Sequence, residues 1–318
     1  MNETNQNSSE LPSSPFRGRR GWFRWLKVFI LLYCIIGIAF YYCQDILLFH
    51  PMAVDKSVKY DLGQPYTEVN LPYDKETNLN IIQFKADKPG LSSTAPGTTE
   101  KTSAVRDTTS GGMDTTSTVG AGLPKGVVLY FHGNKRNITW YAKYAADFTA
   151  KGYEVWMLDY PGYGKSTGKL TEQKLYDYAL QFYKLARSRW QPGQIILYGK
   201  SLGTGIAAEL GSVRDCRRLI LECPYFSMES MARRYFPIYP LGTMLKYRFP
   251  TNTYLPAVTA PITVFHGSND GLIPYSNAAL LKPLLKPGDE FITIEGGGHN
   301  DLHDFPLFRE KLDSVLSR

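Results

Sequence analysis

The sequence predicts an α/β protein whose central sheet is mostly parallel and covered by helices on both faces. Short, continuous apolar runs, typical of fully buried strands, alternate with segments whose apolar residues recur at helical spacing. Strands that alternate with helices usually join parallel neighbours, and both faces of such a sheet are buried. The chain has 318 residues, of which 43% are hydrophobic, which is sufficient for one large α/β domain or two small domains.

The N-terminal region predicts a membrane anchor. Residues 1–21 are polar and rich in Asn, Ser, Pro and Arg, so we expect a disordered tail there. Residues 22–44 are expected to form a transmembrane helix, because no charged residue occurs from Val28 to Gln44 and aromatic residues flank the run at Trp22, Trp25, Tyr41 and Tyr42. A buried core helix would normally carry a polar stripe, and a cleaved signal peptide would end in small residues rather than in "YYCQD".

The distribution of charge predicts the orientation of this anchor. Five basic residues precede the apolar run, namely Arg17, Arg19, Arg20, Arg24 and Lys27. The N-terminus is therefore expected in the cytoplasm, with the rest of the chain across the membrane. The net charge is +7, but no long basic run occurs, which favours a solvated basic surface over nucleic-acid binding.

We expect one domain over residues 45–318. Its first two strands, at 66–73 and 79–86, alternate apolar and polar residues and predict an antiparallel hairpin. Residues 87–122 are mostly Ser, Thr and Gly and predict a flexible insertion, with a glycosylated or partner-binding stalk as the alternative. Further strands are predicted at 126–133, 194–199, 217–223, 260–267 and 290–296, and a strand that runs into a Gly/Pro turn is predicted within 153–166. Helices are predicted at 137–152, 171–190, 201–212, 274–285 and 305–317.

The segment Gly199-Lys200-Ser201-Leu202-Gly203 matches G-x-S-x-G between a predicted strand and a predicted helix. Glycines allow the sharp turn that lifts the serine hydroxyl above the end of the strand, and the following helix directs backbone N–H groups toward it. The alternative is a glycine-rich loop with a hydrogen-bonded serine of no catalytic role. The strand-turn-helix context favours Ser201 as a nucleophile.

A serine hydroxyl needs a base to take its proton, and the base needs an acid to orient it. Downstream, Asp270 follows one predicted strand and His299 follows the last, so both belong at the edge of the sheet that carries Ser201. His266 is a rival base and Asp159 a rival acid, while Asp301 is too close to His299 in sequence to orient its ring easily. A loop role without chemistry is the alternative for His299.

Two N–H groups are expected to stabilise the oxyanion of an acyl-transfer reaction. One is the backbone N–H of Leu202, directly after the nucleophile, and the other comes from the loop "FHGNKRN". We predict the backbone of Asn134 as this second donor, with Lys135 as the alternative. No CxxC or His/Cys cluster indicates a metal site.

These segments together resemble the α/β-hydrolase superfamily, and more closely its membrane-anchored Bem46-like branch. The resemblance covers roughly residues 44–318 apart from the 87–122 insertion, and it is carried by "QDILLFHP", "FHGN", "LDYPGYGKSTG", "YGKSLGTG", "HGSNDGLIP" and "GGGHND". It implies an α/β-hydrolase fold, a catalytic Ser201, Asp270 and His299, an oxyanion hole at Asn134 and Leu202, and no cofactor. The branch is associated with ester or thioester hydrolysis, and some relatives act on lipidated proteins.

Residues 224–256 lie between two predicted strands and are rich in Tyr, Phe, Met and Arg, so we expect a short cap over the nucleophile. Ordinary packing onto the sheet is the alternative. The sequence thus predicts a membrane-anchored serine hydrolase for a small acyl ester, a lipid or an acylated protein. A non-catalytic hydrolase-fold scaffold and a serine peptidase of the same fold are the competing hypotheses.

Overall fold

The computed structural model describes residues 17–87 and 123–318, with side chains from Gly21 onward. The chain divides into two compact units after Leu47. Helix α1 spans Arg17–Leu48 and thus begins before and ends after the predicted span of 22–44. Within the described residues it is the helix that is long and apolar enough to cross a membrane. Of the predicted tail, residues 17–21 belong to this helix, while residues 1–16 lie outside the described part of the chain.

The second unit contains an eight-stranded sheet. The strands are β1 Tyr66–Pro72, β2 Asn78–Phe84, β3 Gly126–Phe131, β4 Tyr153–Leu158, β5 Ile195–Lys200, β6 Arg218–Glu222, β7 Ile262–Gly267 and β8 Glu290–Ile294. Their order in the sheet is β8-β7-β6-β5-β3-β4-β2-β1. Strand β1 pairs antiparallel with β2, β2 pairs antiparallel with β4, and the other neighbours are parallel. The predicted fold class is therefore confirmed, including the N-terminal hairpin.

Helices cover both faces of this sheet. Helices α2 (Glu172–Arg187) and α3 (Leu202–Val213) bury aromatic and aliphatic side chains against one face. Helix α4 (Pro306–Ser317) and the segment between β3 and β4 cover the other face. The helix predicted at 137–152 is divided into three helical turns, Ile138–Tyr141, Ala142–Ala145 and Ala146–Thr149, of which the middle one is a 3-10 turn. Apolar spacing located this element but could not resolve its change in hydrogen-bond pattern.

The remaining helical segments are short. Those outside the predicted cap are Pro192–Gln194, Tyr275–Ala278, Ala279–Leu284 and Leu302–Asp304. Those within or next to it are Met228–Arg233, Leu241–Met244, Thr251–Tyr254 and Leu255–Ala257. Tyr225, Tyr247 and Phe249 of the cap segment are buried in the core beside α2 and α3. The predicted insertion 87–122 lies between β2 and β3, and residues 88–122 fall outside the described part of the chain.

A pair of two-residue strands fastens the start of the second unit to the loop after β3. His50–Pro51 pairs in parallel with Lys135–Arg136. Backbone hydrogen bonds continue to Val54, whose N–H donates to the carbonyl of Gly164 at 2.7 Å. We call residues Leu48–Val54 the strap. The strap is thus hydrogen-bonded to the loop after β3, which the sequence predicts to lie beside the nucleophile.

Candidate active site

Ser201 occupies the turn between β5 and α3 in a backbone conformation that is rare for a residue with a side chain. Its φ is 52° and its ψ is −118°. A Cβ at Gly199 would lie 2.5 Å from the carbonyl oxygen of Gly203, and a Cβ at Gly203 would lie 2.0 Å from that of Phe131. Both positions therefore exclude side chains, because β5, α3 and β3 pack at backbone distance there. The glycines thus permit the strained turn that presents the Ser201 hydroxyl.

The hydroxyl of Ser201 is the first member of a hydrogen-bonded row. His299 Nε2 lies 2.9 Å from Ser201 Oγ, and His299 Nδ1 lies 2.7 Å from Asp270 Oδ2. The three residues come from the turn after β5, the loop after β7 and the loop after β8. These strands are parallel, so their carboxyl ends meet at one edge of the sheet, as the sequence analysis expected. The structure brings all three predicted residues together.

The environment of Asp270 fixes the proton arrangement of this row. Burial disfavours the ionised carboxyl, but hydrogen bonds from His299 and from the backbone N–H groups of Ile273 and Leu272 outweigh it and lower the pKa of Asp270. An ionised Asp270 accepts a hydrogen bond from Nδ1–H of His299. Nε2 is then left as the acceptor that faces the Ser201 hydroxyl.

The rival residues occupy other positions. His266 is fully buried, and its Nε2 lies 3.0 Å from the carbonyl of Ile273 and 3.7 Å from Asp270 Oδ2, the oxygen that His299 Nδ1 approaches to 2.7 Å. Asp159 lies 3.2 Å from His132 and accepts the backbone N–H of Ile138. Asp301 accepts the backbone N–H of Gly298 and so shapes the His299 loop.

The predicted oxyanion donors, Leu202 and Asn134, belong to two segments that lie close to Ser201. Leu202 is the first residue of α3, so its N–H has no acceptor within the helix. Gly133 approaches Ser201 closely, since a Cβ there would lie 3.5 Å from Ser201 Cβ. The next residue, Asn134, is held at its carbonyl by the N–H of His50 at 2.9 Å and the hydroxyl of Tyr163 at 2.7 Å. Its side-chain amide donates to the carbonyl of Leu48 at 2.7 Å. The strap therefore fixes the predicted oxyanion loop.

A cavity of about 220 Å³ opens at this row. Ser201, His299 and Asn134 line it, and Trp140 and Leu272 contribute apolar surface. Both Asn134 and Lys135 line it, so the choice between them as second oxyanion donor stays open. Residues 224–256, all of which the structure describes, do not line this cavity. Of this segment, Tyr225, Tyr247 and Phe249 are buried in the core, whereas Tyr235 and Ile238 are exposed.

Sequence reasoning missed a buried network of charged groups directly beneath the nucleophile. The ammonium group of Lys200 donates to the carboxylate of Glu222, which also accepts from the hydroxyl of Tyr198. Lys200 further donates to the carbonyl of His299 at 3.2 Å. His303 lies between two carboxylates, 3.2 Å from Glu222 and 2.6 Å from Asp147. The network thus connects β5, β6 and the His299 loop.

The pKa values in this network favour its charged form. Burial opposes ionisation of Glu222, but Lys200 and His303 outweigh it and lower the pKa of Glu222. Burial likewise opposes the charge on His303, yet the charge of Glu222 and the hydrogen bond to Asp147 raise the pKa of His303. The sequence did contain a signal for this network, because a lysine and a glutamate end two consecutive apolar strands. In the sheet these two residues, Lys200 and Glu222, are register partners.

One further group beside the row has the residue types of a metal site. Ligand atoms of Cys223, Asp270 and His299 lie within 4.8 Å of one another. Burial raises the pKa of the Cys223 thiol well above its usual range, so the thiolate that binds metals is disfavoured. Both Asp270 and His299 are already engaged in the row. The donor set therefore fits proton transfer better than metal binding.

Strand order, the strained turn at Ser201 and the helices on both faces define the class as an α/β-hydrolase fold. Solved structures agree with this fold. An esterase of Pyrococcus furiosus aligns at a TM-score of 0.57 and 16% identity, over 85% of this chain and 98% of that one. The α/β hydrolase GrgF of a Penicillium species aligns at a TM-score of 0.55 and 13% identity, over 80% and 98%.

Sequence comparisons identify the relatives of the chain. A protein-family model described as "Serine aminopeptidase, S33" matches residues 122–254. Alpha/beta hydrolase domain-containing protein 17C of Xenopus tropicalis is 31% identical over 60% of this chain and 61% of its own length. The Homo sapiens protein of the same name is 30% identical over 60% and 57%. The chain thus spans less than two thirds of the length of these relatives, and the matches support membership of the α/β-hydrolase superfamily.

Proposed function

We propose that the protein is a membrane-anchored serine hydrolase that cleaves carboxylic esters or thioesters through an acyl-enzyme on Ser201. The observation that carries the proposal is the row from Ser201 through His299 to Asp270, with 2.9 Å and 2.7 Å between the interacting atoms. A row of this kind activates a serine without any other group.

The geometry supports a two-step reaction. His299 Nε2 takes the proton of the Ser201 hydroxyl while Oγ attacks the carbonyl carbon of the substrate. The negative charge that develops on the carbonyl oxygen is stabilised by the N–H groups of Leu202 and, by our assignment, Asn134. His299 then returns the proton to the leaving alcohol or thiol, and a water molecule activated by the same nitrogen releases the acid. Ionised Asp270 stabilises the imidazolium at both stages.

A peptidase of the same fold is the second candidate, because the matching family model is described as a serine aminopeptidase. An aminopeptidase must bind the ammonium group of its substrate, and a carboxylate close to the nucleophile commonly does so. In the described part of the chain, the side chains that line the cavity at Ser201 include Lys135, Arg136 and Lys200 but no Asp or Glu. This distribution of charge favours esters and thioesters.

Labelling with a fluorophosphonate tests the proposal, and the Ser201→Ala variant is the control for site specificity. We expect wild-type protein to label and Ser201→Ala to remain unlabelled. Hydrolysis of p-nitrophenyl butyrate, a butyryl thioester and an aminoacyl amide then compares substrate classes. Folded wild-type protein that does not label favours a non-catalytic scaffold, and faster cleavage of the amide favours the peptidase.

We further propose that α1 anchors the protein in a membrane with the N-terminus in the cytoplasm. Its apolar length and the basic residues before Val28 support this orientation. A protease-protection assay on sealed vesicles, with epitopes at either end of the chain, tests it. We expect only the N-terminal epitope to be digested from the cytoplasmic side, and digestion of the C-terminal epitope from that side contradicts the proposed orientation.

A further inference from the structure

Two cations lie on the rim of the cavity at Ser201, and the proposed reaction does not use them. Lys135 and Arg136 directly follow the predicted oxyanion residue, and both are exposed while lining the cavity. Among residues 17–87 and 123–318, no carboxylate forms an ion pair with either side chain. Exposed cations usually find solvent or an acidic partner, whereas these two face the space in which a substrate would lie.

The structure holds Arg136 in a fixed and strained conformation. Its backbone φ is 66°, a value that residues other than glycine rarely adopt. Its carbonyl accepts a hydrogen bond from the N–H of Met52 in the strap at 3.1 Å. The guanidinium carbon lies 3.9 Å from the centre of the Trp140 ring. Stacking on an aromatic ring limits the rotamers of an arginine and leaves its N–H groups available to a partner. Backbone strain at a binding site is a common sign of function.

The remaining charges around the cavity do not compensate these two cations. Lys200 also lines the cavity, but its ammonium group is neutralised by Glu222 beneath it. No Asp or Glu is among the described residues that line the cavity. The rim therefore carries a positive potential next to the nucleophile, and the planar fork of an arginine matches carboxylates and phosphates.

We propose that the substrate carries an anionic group, a carboxylate or a phosphate, close to the scissile bond, and that Arg136, assisted by Lys135, binds it. This inference rests on the proposed hydrolase function and narrows its substrate class to anionic esters or thioesters. Arg136 acts as a specificity-determining residue, and Trp140 holds its guanidinium in place.

Three chromogenic esters test the proposal. The neutral ester is p-nitrophenyl butyrate. In p-nitrophenyl hemisuccinate the acyl group carries a carboxylate, and in 3-carboxy-4-nitrophenyl butyrate the leaving group carries it. The measured quantity is the ratio of kcat/KM for each anionic ester to kcat/KM for the neutral one, in wild type and in variants. This ratio removes any general loss of activity that a variant causes.

We expect Arg136→Gln to lower this ratio about tenfold for at least one anionic ester, mainly through KM. The reason is that the variant loses the charge-assisted hydrogen bond between the guanidinium group and the anionic group of the ester. Which ester responds identifies the side of the scissile bond that the anion occupies. Arg136→Lys should retain part of the ratio, and raising the ionic strength should lower it in wild type. Lys75→Gln is the matched control, since it removes an exposed positive charge from the turn between β1 and β2.

If the neutral ester is hydrolysed and neither Arg136→Gln nor Lys135→Gln changes either ratio, the proposal is overturned while the hydrolase function stands. If folded wild type hydrolyses none of the three esters, the proposed function itself fails.

Discussion

Replacement of Glu222 by glutamine should destabilise the protein more than any other isosteric substitution near the site. The Glu222 side chain is fully buried and accepts hydrogen bonds from Lys200, Tyr198 and His303. Glutamine keeps the shape but removes the negative charge, so the ammonium group of Lys200 remains buried without a counter-charge. Loss of one partner from a buried ion pair costs about 3–5 kcal/mol.

Thermal unfolding monitored by circular dichroism measures this cost. At roughly 2–4 °C per kcal/mol for a domain of this size, Glu222→Gln should lower the Tm by at least about 6 °C. Lys200→Met should cost less, because Glu222 keeps Tyr198 and His303 as partners. The double variant should be more stable than the sum of the two single effects predicts, because it leaves neither member of the pair unpaired.

The same variant has a predicted pH dependence. The folded-state pKa of Glu222 is lowered, so its contribution to stability is present above its unfolded pKa of about 4.3 and is lost as the pH falls toward the folded value. The difference in Tm between wild type and Glu222→Gln should therefore narrow below about pH 4. A Glu222→Gln variant with the same Tm as wild type at pH 7, or a double variant whose loss of stability equals the sum of the two single losses, refutes the reasoning.

Three further predictions concern the acid, the strap and a glutamate of α3. Asp270→Asn should lower kcat for p-nitrophenyl butyrate by about 10⁴ with little change in KM, because an amide does not stabilise the imidazolium, whereas Asp301→Asn should have a small effect; steady-state kinetics measures both. Deletion of residues 1–47 should preserve ester hydrolysis in detergent. Deletion of residues 1–54 also removes the strap that holds Asn134 and should abolish hydrolysis. Equal activity of the two truncated proteins contradicts a positioning role of the strap. Burial raises the pKa of Glu209 to about 7, so the folded protein favours the protonated carboxyl, and stability falls as the pH rises from about 4.3 toward 7. Glu209→Gln should therefore raise the Tm at pH 8 and leave it unchanged at pH 4. Scanning fluorimetry at the two pH values measures both effects.

The sheet and the row were accessible from sequence because both depend on local patterns. Most of the strands are short apolar runs, and chain order placed Ser201, Asp270 and His299 after strands that share one edge. Glycines around Ser201 were informative because β5 and α3 meet there at backbone distance.

Other features depend on contacts between distant segments, which periodicity does not encode. The register between β5 and β6 places Lys200 beside Glu222, and a one-residue shift would separate them. The strap depends on pairing between residues 50–51 and 135–136, far apart in the chain. The cap segment was located by its position between two strands. Its aromatic residues suit a hydrophobic core as well as an acyl-binding pocket, so composition alone could not decide between these two roles.

The formation of an acyl-enzyme is the central claim of this account, and mass spectrometry of quenched reactions tests it most directly. Wild-type protein mixed with excess p-nitrophenyl butyrate and quenched with acid during turnover should gain the mass of one butyryl group, located by peptide mapping on Ser201. Ser201→Ala should gain no mass and release no nitrophenol above background. Turnover by Ser201→Ala, or a butyryl group found on Cys223 or any other residue instead of Ser201, contradicts the account.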